Sequence, residues 1–110
     1  MPLVAENVQE VIRKLSDCVA ACEACAKDCT SQGNADLAQC VQMCLDCPSL
    51  CAACVPLLAR DSQFAAELCR VCAEACERCA EECDRVQMTE CAEACRQAAQ
   101  ACREMAGAAA

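Results

Sequence analysis

Seventeen cysteines fall in four runs whose internal gaps are almost all three or four residues. They are Cys18, Cys22, Cys25 and Cys29; Cys40, Cys44, Cys47, Cys51 and Cys54; Cys69, Cys72, Cys76, Cys79 and Cys83; and Cys91, Cys95 and Cys102. An α-helix turns about 100° per residue, so each run collapses onto an arc of roughly 60–80°. The one longer gap, from Cys95 to Cys102, has Ala98 at the intermediate place. In the third run, Glu74, Arg78, Glu81, Glu82 and Arg85 all lie off the cysteine arc. Four helices are therefore expected, each turning a sulfur face inward and a charged face to water.

Breakers mark the limits of these helices. The first is expected over about residues 3–31, ended by Gly33 at the C′ position. The second starts from Asn34 as N-cap and reaches about residue 59, with Asp61 or Ser62 capping a third that runs to about residue 86. Thr89 caps the fourth, which fades at Gly107. Pro48 and Pro56 each remove a backbone donor within the second helix, predicting a kink near Cys44–Pro48 and a break or end near Pro56. Connections this short force antiparallel neighbours. The expected fold is all-α, an antiparallel up-down-up-down four-helix bundle, with residues 1–110 forming one domain.

Composition says what fills the bundle. Of the 63 hydrophobic residues, 24 are Ala and 17 are Cys, leaving 22 larger apolar side chains to close the core. The rest of the interior must be sulfur, because packed interiors tolerate few voids. His, Trp and Tyr are absent, which removes imidazole acid–base chemistry and histidine-ligated zinc or haem. A net charge of −8 argues against a nucleic-acid partner. The N-terminal residues lack a basic, then apolar, targeting pattern, and no stretch is expected to reach the roughly 20 apolar residues of a membrane span. The expected compartment is the cytosol, where thiols stay reduced, so a disulfide framework is disfavoured; the odd number of cysteines points the same way.

Pairs at i and i+4 on a helix hold their Cβ atoms about 5–6 Å apart, wider than the 3.5–4.5 Å or so of a disulfide. That spacing suits two sulfurs bridged by a metal. Soft thiolates select Cu(I), Zn and iron–sulfur clusters. One Cu(I) per thiolate leaves a neutral core, whereas four thiolates around Zn²⁺ leave buried negative charge, which is costly. Cu(I), with many ions per chain, is therefore the favoured cargo and all 17 cysteines are its candidate ligands. Tetrahedral zinc or cadmium, in a metallothionein-like role, is the main alternative, although such sites usually draw on irregular loops. A redox-active thiol reservoir is the other. Iron–sulfur spacing is lacking, and cysteine as a mere small hydrophobe explains one or two positions, not four stripes.

The segments Cys-Glu-Ala-Cys-Ala-Lys-Asp-Cys (22–29), Cys-Ala-Glu-Ala-Cys-Glu-Arg-Cys-Ala-Glu-Glu-Cys (72–83) and Cys-Ala-Glu-Ala-Cys-Arg-Gln (91–97) carry a resemblance. The chain resembles the bacterial copper storage proteins, in particular their cytosolic branch, from Cys18 to about Gly107. The resemblance implies a non-enzymatic bundle, usually a homotetramer, that loads many Cu(I) ions through pairs of cysteines. Members of that branch often carry His near the bundle mouth; this chain has none, and Ala98 interrupts its last stripe.

The cysteines are not centred along the bundle. Val4, Val8, Val11, Ile12 and Leu15, with Leu57, Leu58, Phe64 and Leu68, predict an apolar plug without ligands at one end. The sulfur column is then expected to open at the other, where the loops around Gly33 and Gln87–Thr89 meet. Met88 lies at that mouth and Met43 near it. Both thioethers are candidate soft ligands for passing Cu(I) inward, with gap-filling as the alternative role.

Overall fold

The computed structural model describes residues 2–108. Four helices follow one another: α1 Glu6–Ser31, α2 Ala38–Ala59, α3 Ala65–Arg85 and α4 Thr89–Ala108, with a 3₁₀ turn at Ala35–Leu37 before α2. Each helix packs on its two neighbours in the ring α1–α2–α3–α4–α1. This is the expected all-α bundle, about 48 Å long and 18–24 Å across.

The helix ends differ from expectation for local reasons. α1 starts at Glu6, behind Ala5, and not near residue 3. Gly33 does take the left-handed conformation expected after α1, with φ +63°. The Asn34 side chain accepts from the Asp36 N–H at 3.0 Å, capping the 3₁₀ turn, so α2 itself begins only at Ala38. Asp61 does not start α3. It ends α2, with φ 52°, and Ser62 N donates to Leu57 O in the six-to-one closure of a Schellman turn. Ser62 Oγ accepts from Phe64 N, so this residue shapes the turn and α3 begins at Ala65. Gln87, at φ 66°, closes α3 in the same way, with Met88 N donating to Cys83 O. Met88 O accepts from Ala92 N, which places Met88, and not Thr89, at the N-cap of α4.

α2 runs unbroken through Pro48 and Pro56 and ends three residues beyond the second. It is also long and apolar enough to cross a bilayer by composition, which corrects the expectation that no stretch approaches a span. Much of that apolar character is cysteine. Its five cysteines face the bundle axis and are buried.

The core consists of the 17 cysteines, each at most 4% exposed, beside small neighbours such as Ala73, Ala80, Ala92 and Ala99. Ala98, at the gap in the last stripe, is fully buried in the same core. No polar or charged residue is buried among the described residues. Ion pairs lie outside; Arg103–Glu77 and Arg96–Asp84 join α4 to α3 across exposed faces, where each contributes little.

The apolar plug is real but smaller than expected. Val11, Leu15 and Leu58 are buried, while Val8, Ile12 and Leu68 are half-buried against them. Phe64 is not part of it: its ring is 60% exposed. It sits at the N-cap of α3, before the helix carries side chains to the core face, in a turn shaped by Ser62. Leu15→Ala should therefore destabilise the reduced apoprotein by about 2–5 kcal/mol. Phe64→Ala should stay within about 0.5 kcal/mol of the parent. Denaturant unfolding followed by circular dichroism under reducing conditions checks both.

Candidate metal centre: a continuous thiol column

Each sulfur stripe meets the others along the bundle axis. Cys22, Cys44, Cys79 and Cys91, one from each helix, hold their Sγ atoms all within 4.8 Å of one another. The same limit encloses Cys18, Cys47, Cys51 and Cys76; Cys18, Cys22, Cys47 and Cys95; Cys25, Cys44, Cys83 and Cys91; and the triplet Cys25, Cys29 and Cys40. These groups share corners: Cys18 and Cys47 each belong to two, as do Cys22, Cys25, Cys44 and Cys91. Nearest contacts include Cys47–Cys76 at 3.4 Å, Cys22–Cys95 at 3.5 Å and Cys51–Cys72 at 3.6 Å. Beyond them, Cys54, Cys69 and Cys102 are buried toward the other end of the bundle. A network of close-packed sulfurs therefore reaches from Cys29, near the α1 C-terminus, to Cys72 on α3, with those three cysteines buried beyond it.

All 17 expected cysteine ligands are buried free thiols, and 13 of them fall in these groups. Convergence of four sulfurs does not need irregular loops, contrary to expectation; straight helices achieve it because each contributes an inward stripe. A tetrahedral zinc site has S···S edges of about 3.8 Å, from a Zn–S bond near 2.3 Å. Distance alone thus fits Zn²⁺ as well as Cu(I). The shared corners and buried charge separate them. Isolated tetrathiolate sites would compete for the same sulfurs and each would bury two negative charges, whereas Cu⁺ replacing S–H protons one for one leaves the core neutral.

The protonation pattern follows from the same contacts. Burial pushes the Cys25 and Cys29 thiols up. Cys95, with Cys18 and Cys22 at 3.8 and 3.5 Å, is pushed up by these sulfur neighbours and by burial. Cys79 is held down by its sulfur contacts with Cys22, Cys44 and Cys83. Donor and acceptor sulfurs thus form S–H···S bridges whose proton a two-coordinate cation can replace.

The end expected to be the mouth is partly roofed. Leu37, on the 3₁₀ turn, is buried in the core, and Arg85 Nη2 donates to Asp36 O at 2.8 Å, tying that turn to the end of α3. A cleft of about 380 Å³ between α1 and α4 is lined by Cys25, Cys91, Met88, Asp28 and Glu90, among others. Cys25, Cys91 and Cys29, at 4, 3 and 2% exposed, are the most accessible thiols, and all lie on α1 or α4 near this end. Met88 is thus where a first soft ligand was expected, half-buried on the core. Met43 is half-buried against the core on α2. Sequence reasoning missed Met105, which lies three residues beyond Cys102 and packs on the other end of the core.

The copper storage protein family model matches residues 4–107. The chain belongs to the copper storage protein family. Among solved structures, apo copper storage protein 3 from Bacillus subtilis is 35% identical, with a TM-score of 0.80, over 89% of this chain and 97% of that one. A Cu(I)-bound copper storage protein, BsCsp3, is 33% identical at a TM-score of 0.83, over 92% and 99%. The Nmul_A1745 protein from Nitrosospira multiformis is 28% identical at 0.86, over 94% and 97%. No curated protein matches the chain in sequence.

The raised thiols set a pH dependence. Cys25 and Cys29 hold their protons more tightly when folded than when unfolded, where a thiol titrates near 9.0. Their contribution to stability is therefore complete below that value and lost as pH rises through the folded values. The melting temperature of anaerobic, reduced apoprotein should fall as pH is taken above about 9. Copper-loaded protein should lack this alkaline fall, because its thiolates no longer hold protons; thermal melts across pH check both.

Proposed function

We propose that this chain stores Cu(I), with all 17 cysteines as thiolate ligands and no enzymatic activity. The observation that carries the reading is the corner-sharing of the sulfur groups. It lets adjacent ions bridge through common thiolates along one column; Cys72 touches that column through Cys51, and Cys54, Cys69 and Cys102 are buried at its end. The Cu(I)-bound relative supports the choice of metal, since its chain is covered almost completely by this one. Each ion bound replaces thiol protons, so loading stabilises the fold and weakens as pH falls.

The chain acts as one copper-binding domain in the cytosol, where reducing conditions keep the column as thiols. Neither nucleic acid nor a membrane is its partner; copper ions are, together with further copies of the chain in a homotetramer. The outer face of α2 supports self-association, because Leu45 remains 45% exposed there and Val41 is only half-buried. Met88 supplies the first soft ligand at the α1–α4 cleft, and Met43 a further one beside the column.

Anaerobic titration of reduced protein with Cu(I), with Zn(II) in parallel, tests the storage role. Saturation on the order of one Cu(I) per cysteine is expected. Saturation at four or five ions would instead mean isolated tetrahedral sites and would overturn the reading. Ala98→Cys places a thiol in a fully buried gap of the α4 stripe, and should raise capacity by about one ion per chain. Met88→Ala should slow uptake from a chelated donor and leave the final loading near the parent value; stopped-flow absorbance reads both.

A further inference from the structure

The plug was expected to close one end of the bundle, and the exposed Phe64 takes no part in closing it. A cleft of about 410 Å³ remains there, between the start of α1, the α2–α3 turn and the end of α4. Val8 and Leu58 form its apolar wall, Asp61 and Ser62 its polar edge, and two sulfur residues line it: Cys69 and Met105. Cys69 is the first thiol of the α3 stripe at this end, buried at the floor of the cleft. Met105 is half-buried against the core.

Met105 also completes a pattern on α4. From the N-cap of that helix onward, Met88, Cys91, Cys95, Ala98, Cys102 and Met105 follow at steps of three or four residues, and each is buried in the core or packed against it. The thiol stripe is thus bracketed by a thioether at each end, and each thioether shares a cleft with a terminal thiol: Met88 with Cys91, Met105 with Cys69. A thioether is soft, neutral and carries no proton, so it binds Cu(I) without proton loss and releases it more readily than a thiolate. That is the property a passage needs and a store does not.

We propose that the Met105–Cys69 cleft is a second passage for Cu(I), at the end of the bundle opposite Met88. This rests on the storage reading and adds to it that the column fills from both ends. Cu(I) arrives on a donor, and Met105 Sδ takes one coordination position as a donor ligand leaves. A Cu–S bond to Cys69 Sγ then forms. Where that thiol is protonated, its S–H bond breaks and the proton passes to water. No oxidation state changes.

Uptake from Cu(I) held by bicinchoninate, followed anaerobically by stopped flow, tests this. The proteins compared are the parent, Met88→Leu, Met105→Leu, the double variant, and Ala66→Phe, which fills the cleft without removing a ligand. If the two ends are parallel passages, their rates add. Each single methionine variant should then lose part of the initial rate, and the double variant should lose the sum of both parts. Ala66→Phe should lose the same part as Met105→Leu while reaching the parent capacity. Parent-rate uptake by Met105→Leu, both alone and on the Met88→Leu background, would overturn the second passage. So would a slowing of Met105→Leu that disappears when rates are compared at equal folded fraction by circular dichroism, or parent-rate uptake by Ala66→Phe. A parent that fails to take up Cu(I) beyond a few ions would overturn the storage reading itself, and is told apart by its capacity.

Discussion

Sulfur packed against sulfur along a single axis is the contact on which everything else in this molecule depends. A thiol is small, nearly apolar and able to donate or accept a weak hydrogen bond, so it can fill an interior without leaving a polar group unsatisfied. Layers of thiols from four helices need the backbones close, and buried alanines such as Ala73, Ala80, Ala92 and Ala99 beside them permit that approach. The ordinary hydrophobic contribution is left to a short segment around Val11, Leu15 and Leu58. Core and binding site are therefore one set of atoms, and any change that loosens the packing also changes the metal site.

This identity sets the electrostatics. A column of thiolates without cations would be untenable in a region excluded from water, because like charges at 3.4–4.0 Å repel strongly there. Protons neutralise the column in the apo state, bridging S–H···S contacts, and a monovalent soft cation can take their place without altering the net charge. A divalent ion held by four thiolates cannot do so. The charge of the cargo is thus chosen by the packing as much as by the softness of sulfur. The acidic surface, at a net −8, remains outside this balance because no charged side chain among the described residues enters the core.

Much of this was legible in the residues. The three-and-four spacing fixes both the helices and their inward faces, since that period is meaningful only on a helix, and every cysteine so placed is buried. The helix ends were less legible because several residues serve equally well in different turns. Asn34 caps a 3₁₀ turn and not α2; Asp61, a good N-cap by type, instead takes the left-handed position that closes α2. Propensity ranks such residues as turn formers but does not say which helix they serve. Phe64 was misplaced for a related reason. Large apolar side chains favour burial, yet a residue at a helix N-cap points where the turn sends it. Met105 was overlooked although its spacing from Cys102 continues the α4 stripe.

The sequence by itself determined four helices, their sulfur faces and the soft-metal chemistry of those faces, because side-chain period and thiol reactivity are local properties carried by residue type and spacing. Only the tertiary structure decided how the four stripes interlock: which sulfurs form groups, which belong to two groups at once, and where the column can be reached. Those depend on the relative height and rotation of helices, set by Schellman turns at Asp61 and Gln87 and by the strap from Arg85 to Asp36. A shift of one residue between neighbours moves a side chain about 1.5 Å along the axis and 100° around it. That is enough to separate sulfurs now in contact, and the spacing within any one helix would be unchanged.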